Sequence, residues 1–397
     1  MKKIIAVFTG NRAEYGLQFP ILKAIQNHKN LDYRLIISGA HLAKRFGETI
    51  KEIKNDGFKI HAKVKIEMSK NIDIFTPNAI SSCVMGVAKV LRKIKPDIFL
   101  VYGDRFEGFA AVIASTQMNI PTAHIEGGDI TEGGALDDSV RHAMTKLSHF
   151  HFTTNFQATN RILSMGEEKW RVKTVGYPAI DLLAQGDYAG KKELRSRYKI
   201  DLVKPIVLFT QHSVTTEYNL SRKQLLPSLK ALMSLSNKDI QIIITFPNND
   251  VGGEIISNEF KKISKKRNSN IKIYKSIGRY NYHGFLALAK DKKLRIVCVG
   301  NSSSGIKETP FFGCPSVNIG SRQQSRLRAN NIIDVNYNKN QIENAIKKCL
   351  YDKTFIRKCK TVKNPYGGGR SGEKIAKTLA NITQNKKIIL RKKMTIK

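Results

Sequence analysis

The 397-residue chain reads as an α/β protein of two halves, each a parallel sheet covered by helices on both faces. Three observations predict this. Short apolar runs alternate with stretches whose apolar residues recur at helical spacing, the pattern of strand–helix–strand units. The length exceeds one ordinary core and suits two domains of about 180 residues each. A Gly-, Lys- and Arg-rich break at 184–205 is followed by a fresh strand, PIVLFTQH (205–212).

The opening run IIAVF (4–8) predicts a buried strand, Thr9 to Arg12 a Gly-containing loop, and Leu17, Ile21, Leu22 and Ile25 one face of a helix. LDYRLIISG (31–39) predicts the second strand. A helix after Leu42, another near 78–94, a strand over 97–103 and a helix over 109–118 continue the alternation. IPTAHIE follows as a strand, then a helix over 136–149 with Leu136, Val140, Met144 and Leu147 on one face, then HFHFTTN and RVKTVGY. Beyond the break, IVLFT, IQIIITF (240–246), IKIY (271–274) and RIVCVG (295–300) repeat the scheme. The expected division is 1–186 for the first domain and 200–366 for the second. A crossover helix at about 368–384 then returns to the first domain, and 385–397 forms a basic tail.

Five cysteines, at 83, 298, 314, 349 and 359, form no C-x-x-C pair and read as reduced core thiols of a cytoplasmic protein. Arg12 and Glu14 interrupt the opening apolar stretch too early for a signal peptide, and no run approaches eighteen apolar residues, so no membrane span is expected. The net charge of +36 is the anomaly. It admits nucleic acid, a membrane surface or an anionic substrate. The basic residues are spread along the whole chain without a zinc-finger spacing or an RNP-like strand, so specific nucleic-acid binding is not expected and a solvated, Lys-biased surface is. Lys386 to Lys397 is the densest cluster and reads as a disordered basic arm or a weak contact for acidic surfaces.

In open α/β sheets ligands bind beyond the C-terminal strand ends, so motifs there come first. Gly300-Asn301-Ser302-Ser303-Ser304-Gly305 follows RIVCV and precedes a helix expected to begin near Ile306. Backbone N–H groups and serine hydroxyls there suit an anion; a serine-capped turn is the bland alternative. Glu308 can accept from ribose hydroxyls or merely complement the helix dipole. Gly103-Asp104-Arg105-Phe106-Glu107 and Thr9-Gly10-Asn11-Arg12 each end a strand, and Arg105 and Arg12 can neutralise a diphosphate or serve in simple ion-pair loops. In His124-Ile125-Glu126-Gly127-Gly128 a carboxylate ends an apolar strand, which is costly without partners or a function. Asp137 and Asp138 open the next helix, where capping and pairing with Arg141 or His142 compete with catalysis. His212 ends the first strand of the second half, and Arg322 and Arg326 follow the strand SVNI. The glycines at 367–369 lack the Gly-Lys-Ser/Thr ending of a phosphate loop and read as a turn.

Taken in order, GNRAEYG (10–16), SGAHL (38–42), GDRFE (103–107), HIEGG (124–128), DDSVRHAMTKLSH (137–149), QHSVTT (211–216), FPNND (246–250), GNSSSGIKE (300–308) and GSRQ (320–323) resemble the hydrolysing UDP-N-acetylglucosamine 2-epimerase family, to about residue 380. The resemblance implies a GT-B fold, two Rossmann-like doubly wound domains facing across a nucleotide-sugar cleft, in a homodimer or homotetramer with no cofactor and no metal. It implies Asp104, Glu126, Asp137 and Asp138 as catalytic carboxylates with His212. It places Arg12, Arg105, Ser302, Ser303, Glu308 and Arg322 on the nucleotide, the serines on the diphosphate and Glu308 on the ribose. Relatives often carry cysteine where this chain has Ser304, and Thr131-Glu132-Gly133-Gly134 lengthens the loop before the aspartates.

The implied reaction converts UDP-N-acetylglucosamine and water to N-acetylmannosamine and UDP through a glycal, in the biosynthesis of sialic and other nonulosonic acids of the cell surface. A member acting on a UDP- or GDP-linked 2,4-diacetamido-2,4,6-trideoxy sugar is the alternative within the family. A GT-B glycosyltransferase and a basic RNA- or glycan-binding protein are the alternatives outside it.

Overall fold

A computed structural model describes residues 2–42, 49–66, 72–131, 136–248, 251–264 and 268–395. The chain divides into two compact units: Met1–Ile130, Leu136–Leu182 and Tyr366–Lys397 form unit 1, and Thr131–Ala135 with Leu183–Pro365 form unit 2.

Unit 1 holds β1 (Lys3–Thr9), β2 (Leu31–Ser38), β3 (Ile60–Val64), β4 (Ile98–Tyr102), β5 (Thr122–Ile125), β6 (Phe150–Thr153) and β7 (Val172–Thr174). They lie in the order β3-β2-β1-β4-β5-β6-β7, every pair parallel. Successive strand residues face opposite sides, so Ile5 and Val7 enter one core with Ile21, Leu22 and Leu379. Ala6 and Phe8 enter the other with Cys83, Val87 and Ala111. The helix Ile72–Ile94 includes a stretch, Ile74–Ile94, long and apolar enough to cross a membrane by length and composition. Its Ala79, Cys83, Val87 and Leu91 are buried, the last three in that second core.

Unit 2 holds β8 (Ile206–Thr210), β9 (Gln241–Thr245), β10 (Ile271–Tyr274), β11 (Ile296–Gly300), β12 (Ser316–Ile319) and β13 (Ile332–Val335) in the order β10-β9-β8-β11-β12-β13, again all parallel. Both sheets therefore reverse direction beside their first strand, between β1 and β4 and between β8 and β11. That point is where an open α/β sheet leaves a crevice.

The edge strands β3 and β13 are absent from the sequence expectation. Both are short and largely half-exposed, and Lys63 and Asp334 interrupt their apolar residues. Unit 2 also takes in most of the stretch read as a linker: Lys191–Tyr198 is a helix that buries Leu194 and Tyr198. The helix expected after Leu42 appears as Ile50–Asn55, and 43–48 lie outside the described residues. All five cysteines are free and buried.

Lys386 to Thr395 is not the disordered arm expected from its charge. Lys386–Leu390 is helical and Ile389 is buried. The Arg171 guanidinium donates to the carbonyls of Ile389 at 2.8 Å, Arg391 at 3.1 Å and Ile388 at 3.3 Å. Lys392 Nζ donates to the carbonyls of Thr145, Lys146 and Ser148 at 3.1, 2.6 and 2.7 Å, closing the C-terminal end of the helix Leu136–Leu147. Lys3 does the same for the helix Ser371–Asn381, through the carbonyls of Leu379, Ala380 and Ile382. Carbonyls left unpaired at a helix end favour a cation. The N-terminus of that last helix is capped by Asp181, which accepts from the Ser371 and Gly372 amides at 2.8 and 2.7 Å, so the first N–H groups after the glycine turn are spent inside the protein.

Lys392 also reaches Glu167 at 2.8 Å, as do Lys146 at 2.7 Å and His151 at 3.1 Å. Burial pushes the Glu167 carboxyl up, but the hydrogen bonds from His151, Lys146 and Lys392 outweigh it and hold it at about 2, below its ordinary 4.5. Because the folded value is depressed, this stabilisation is present above pH 4.5 and is lost as pH falls toward 2. Urea titrations of Glu167→Gln are expected to show a weaker loss of stability than the parent over that window. Lys392→Met is expected to cost about 1–3 kcal/mol at pH 7, and an unchanged urea midpoint would contradict the cap.

Candidate functional site

Unit 1 presents its acids at the C-terminal edge of β4 and β5. The ladder ends where the Gly103 amide donates to the Ile125 carbonyl at 3.0 Å, and His124, a fully buried imidazole, donates from Nε2 to the Gly103 carbonyl at 2.6 Å. Burial pushes His124 down to about 4, which keeps it neutral. Asp104 follows and accepts from Arg141 Nη2. The other arm of the same guanidinium, Nη1, donates to Asp138 Oδ1 at 2.9 Å and to the Asp129 carbonyl at 2.7 Å. Arg141 is 3% exposed, so one buried cation holds two of the four expected carboxylates. Asp137 is exposed on the same first helical turn.

Glu126 directly follows β5 with φ +67°, a left-handed backbone uncommon outside glycine, and is itself buried. A non-glycine residue in that region stores strain, which concentrates at functional positions. Its amide donates to the Phe152 carbonyl at 2.9 Å. Beside it, burial first and the Glu126 charge second push the Tyr102 hydroxyl well above its ordinary range.

At the end of β1, Asn11 caps the helix Arg12–Asn27 and Glu14 Oε2 accepts from the Gly10 amide at 3.0 Å. Glu107 packs against Gly10 so closely that a Cβ there would stand 2.8 Å from its own Cβ, so the position excludes any side chain. Arg105, half-exposed, reaches Glu107 at 3.3 Å. Burial and then the nearby Glu107 charge push the Glu14 carboxyl up to about 7, against the pull of the Gly10 amide. Glu14 and Glu107 both lie inside the sequence motifs without standing out there, because nothing in the spacing shows two acids folding beneath one loop. The side chain of Arg12 lies outside the described residues, as do residues 132–135 of the loop before the aspartates and residues 249–250 of FPNND.

In unit 2 the ends of β8 and β11 are joined by Asn301, which is 1% exposed. Its Oδ1 accepts from the His212 amide at 2.7 Å, and its Nδ2 donates to the His212 carbonyl at 2.8 Å. The Asn301 carbonyl in turn accepts from Arg322 Nη1 at 3.1 Å and Gln323 Nε2 at 3.0 Å. Gly300, at φ +130°, lets the chain turn here: a Cβ would stand 1.9 Å from the Thr210 carbonyl oxygen. His212 Nδ1 accepts from the Asn248 amide at 3.0 Å, so the ring proton sits on Nε2. Burial and then the Arg322 charge push this imidazole down to about 3, neutral at any physiological pH.

Ser302 and Ser303 follow, both half-buried, with Ser302 Oγ accepting from the Ser304 amide at 3.4 Å. The single helix expected from Ile306 is instead two short ones, Ser304–Lys307 and Thr309–Phe312. Pro310 lacks the N–H that a continuous helix needs and its ring obstructs the preceding turn. Glu308, 8% exposed, sits at the break and accepts on Oε2 from Ser304 Oγ at 2.5 Å and His283 Nε2 at 2.9 Å. Among the described residues no cluster of three or more His, Cys, Asp or Glu is arranged to hold a metal ion.

The UDP-N-acetylglucosamine 2-epimerase family model matches residues 23–380. A GDP/UDP-N,N′-diacetylbacillosamine 2-epimerase (hydrolyzing) from Campylobacter jejuni is 35% identical over 337 residues, 85% of each chain. A UDP-N-acetylglucosamine 2-epimerase from Neisseria meningitidis is 34% identical over 348 residues, 87% of each. Among solved structures, a UDP-GlcNAc 2-epimerase from Neisseria meningitidis bound to UDP-GlcNAc superposes with a TM-score of 0.80 at 19% identity, covering 96% of this chain and 100% of that one. The fold is thus of the GT-B type, with two Rossmann-like parallel-sheet domains.

Since Glu14 titrates higher folded than unfolded, its contribution to stability is full below about pH 4.5 and lost as pH rises through about 7. Glu14→Gln is expected to remove that decline, worth up to about 3 kcal/mol, in urea titrations at pH 4.5 and pH 8. A decline of the same size in both proteins would place the titration elsewhere.

Proposed function

The chain belongs to the UDP-N-acetylglucosamine 2-epimerase family, and from that premise we propose that it is a hydrolysing 2-epimerase of a nucleotide-linked 2-acetamido sugar, turning UDP-N-acetylglucosamine and water into N-acetylmannosamine and UDP. The observation that supports this most is the acid set at the edge of β4 and β5: Asp104 and Asp138 on one guanidinium, with Glu126 at the neighbouring strand end.

The chemistry needs such a set. The C2 proton is not adjacent to a carbonyl, so it becomes removable only as C1 gains oxocarbenium character. The bond from C1 to the diphosphate oxygen breaks early, and a carboxylate takes the C2 proton to leave a glycal. Water then adds its oxygen to C1 and a proton reaches C2 from the opposite face, inverting that centre. Asp104, Glu126, Asp137 and Asp138 are the proposed acids and bases. Arg141 orients Asp104 and Asp138, which suits them to stabilising positive charge on the sugar ring. His212 acts as a hydrogen-bond donor through Nε2, because its Nδ1 is occupied and a ring near 3 is a poor base. Ser302 and Ser303 hold the diphosphate with Arg12, Arg105 and Arg322, and Glu308 holds the ribose. These groups meet the leaving charge with fixed dipoles and cations.

A second substrate is favoured by the name of the 35% identical relative: N,N′-diacetylbacillosamine, a 2,4-diacetamido-2,4,6-trideoxy sugar, carried on UDP or GDP. The UDP and GDP forms of both sugars, incubated in deuterated water, separate the two readings. The expected result for one of them is release of nucleoside diphosphate with the C2 epimer carrying deuterium at C2. Nucleoside diphosphate released with unexchanged, uninverted sugar would instead mark a transferase hydrolysing its donor. Glu126→Gln is expected to lower kcat at least about a hundredfold while UDP affinity, measured by calorimetry, stays within about twofold.

A further inference from the structure

We propose that His283 is a positioning residue for nucleotide recognition: with Ser304 it clamps one oxygen of Glu308 so that the other is presented to the ribose diol. This rests on the reading that Glu308 binds the ribose.

The geometry is specific. His283 lies on the helix Gly278–Ala287, is 3% exposed, and directs Nε2 to Glu308 Oε2 at 2.9 Å. Ser304 Oγ reaches the same oxygen at 2.5 Å. A carboxylate with two protein donors on one oxygen cannot rotate without breaking both hydrogen bonds, and its second oxygen is held in a fixed direction to accept from a ligand hydroxyl. A vicinal diol matches this, because two adjacent hydroxyls can share one acceptor oxygen or straddle the carboxylate edge.

The imidazole is committed to this one task. Its Nδ1 is buried and finds no partner among the described residues, so the ring is oriented by its bond to Glu308. Electrostatics agree. Burial drives Glu308 toward its neutral form, yet His283 by charge and by hydrogen bond, followed by Ser304, brings the carboxyl below its ordinary range. An ionised carboxylate is an acceptor only, whereas a protonated one would present a donor to the diol and lose an acceptor site. The hydroxyl of Ser304 suits the same design, since a hydroxyl donates to a carboxylate far better than a thiol would.

Ribose hydroxyls supply the test. Calorimetry would compare UDP with 2′,3′-dideoxy-UDP, or the GDP pair if that nucleotide binds more tightly, on the full chain. The parent is expected to bind the dideoxy form at least about tenfold more weakly, the loss typical of a hydrogen bond to a charged group. His283→Met is expected to shrink that ratio to about twofold, and Ser304→Ala to reduce it in the same direction. His283→Gln, whose amide can reach the position of Nε2, is expected to restore it. A merely structural role for His283 would weaken both nucleotides equally and leave the ratio intact, which would overturn the proposal. A parent that binds both nucleotides alike would instead refute the ribose role of Glu308, so the two failures are told apart. Should His283→Met not fold, Ser304→Ala decides the clamp, an unchanged ratio there overturning it.

Discussion

Asn301 is the pin on which the organisation of unit 2 depends. Parallel strands β8 and β11 pair as far as Thr210 and Gly300, and beyond that point the sheet's reversal sends their loops apart. Separated backbone would leave donors and acceptors unpaired in a buried place. The Asn301 amide replaces the missing rung, donating to and accepting from His212 as a strand would. Everything aimed beyond the strand ends hangs from it: His212 by its backbone, Arg322 and Gln323 by the Asn301 carbonyl, and the serines as the next residues in the chain. Gly300 is the geometric condition for the pin, since any side chain there would occupy the space of the Thr210 carbonyl.

Unit 1 meets the same constraint with charge. Its edge carries Glu14, Glu107, Glu126, Asp104 and Asp138 within or beside buried backbone, a concentration of acid that would be prohibitive without compensation. The compensation takes several forms. Asp104 and Asp138 share a guanidinium, Glu107 takes the half-exposed Arg105, and Glu14 is accommodated by a folded-state affinity for its proton far above the ordinary one. The excess of positive charge along the chain therefore conceals a local excess of negative charge where the chemistry is proposed. Some of the basic residues are structural as well: Lys3, Arg171 and Lys392 are each spent on backbone carbonyls at or near a helix end.

How much of this was legible follows from which interactions are local. Strands buried on both faces announce themselves as apolar runs, and β1, β4, β8, β9 and β11 all do. The edge strands β3 and β13 do not: each is short, and a charged residue, Lys63 or Asp334, interrupts its apolar residues. Acids at strand ends were visible since a carboxylate after an apolar run breaks a pattern. Arg141 was visible only as a helical neighbour of Asp138, and its grip on Asp104, 37 residues away, depends on the adjacency of β4 and β5. The basic tail eludes the sequence for a related reason. Composition counts Lys392 as solvated charge, but three backbone carbonyls of a remote helix end stand in for the water it gives up.

The tautomer of His212 constrains the chemistry further than its identity does. A histidine beside a reacting sugar invites the role of base, and with a free Nδ1 it could relay a proton through either nitrogen. Here the Asn248 amide occupies Nδ1, which is thereby an acceptor, and the proton must stand on Nε2. Taking a second proton would cost the Asn248 hydrogen bond and place a cation, in a buried site, beside Arg322; burial and that neighbouring charge are what hold the ring at about 3. A neutral, directed N–H is what remains. Such a group can stabilise charge gathering on an oxygen without giving up its proton, so in the proposed reaction His212 serves as a donor and the proton traffic falls to the carboxylates.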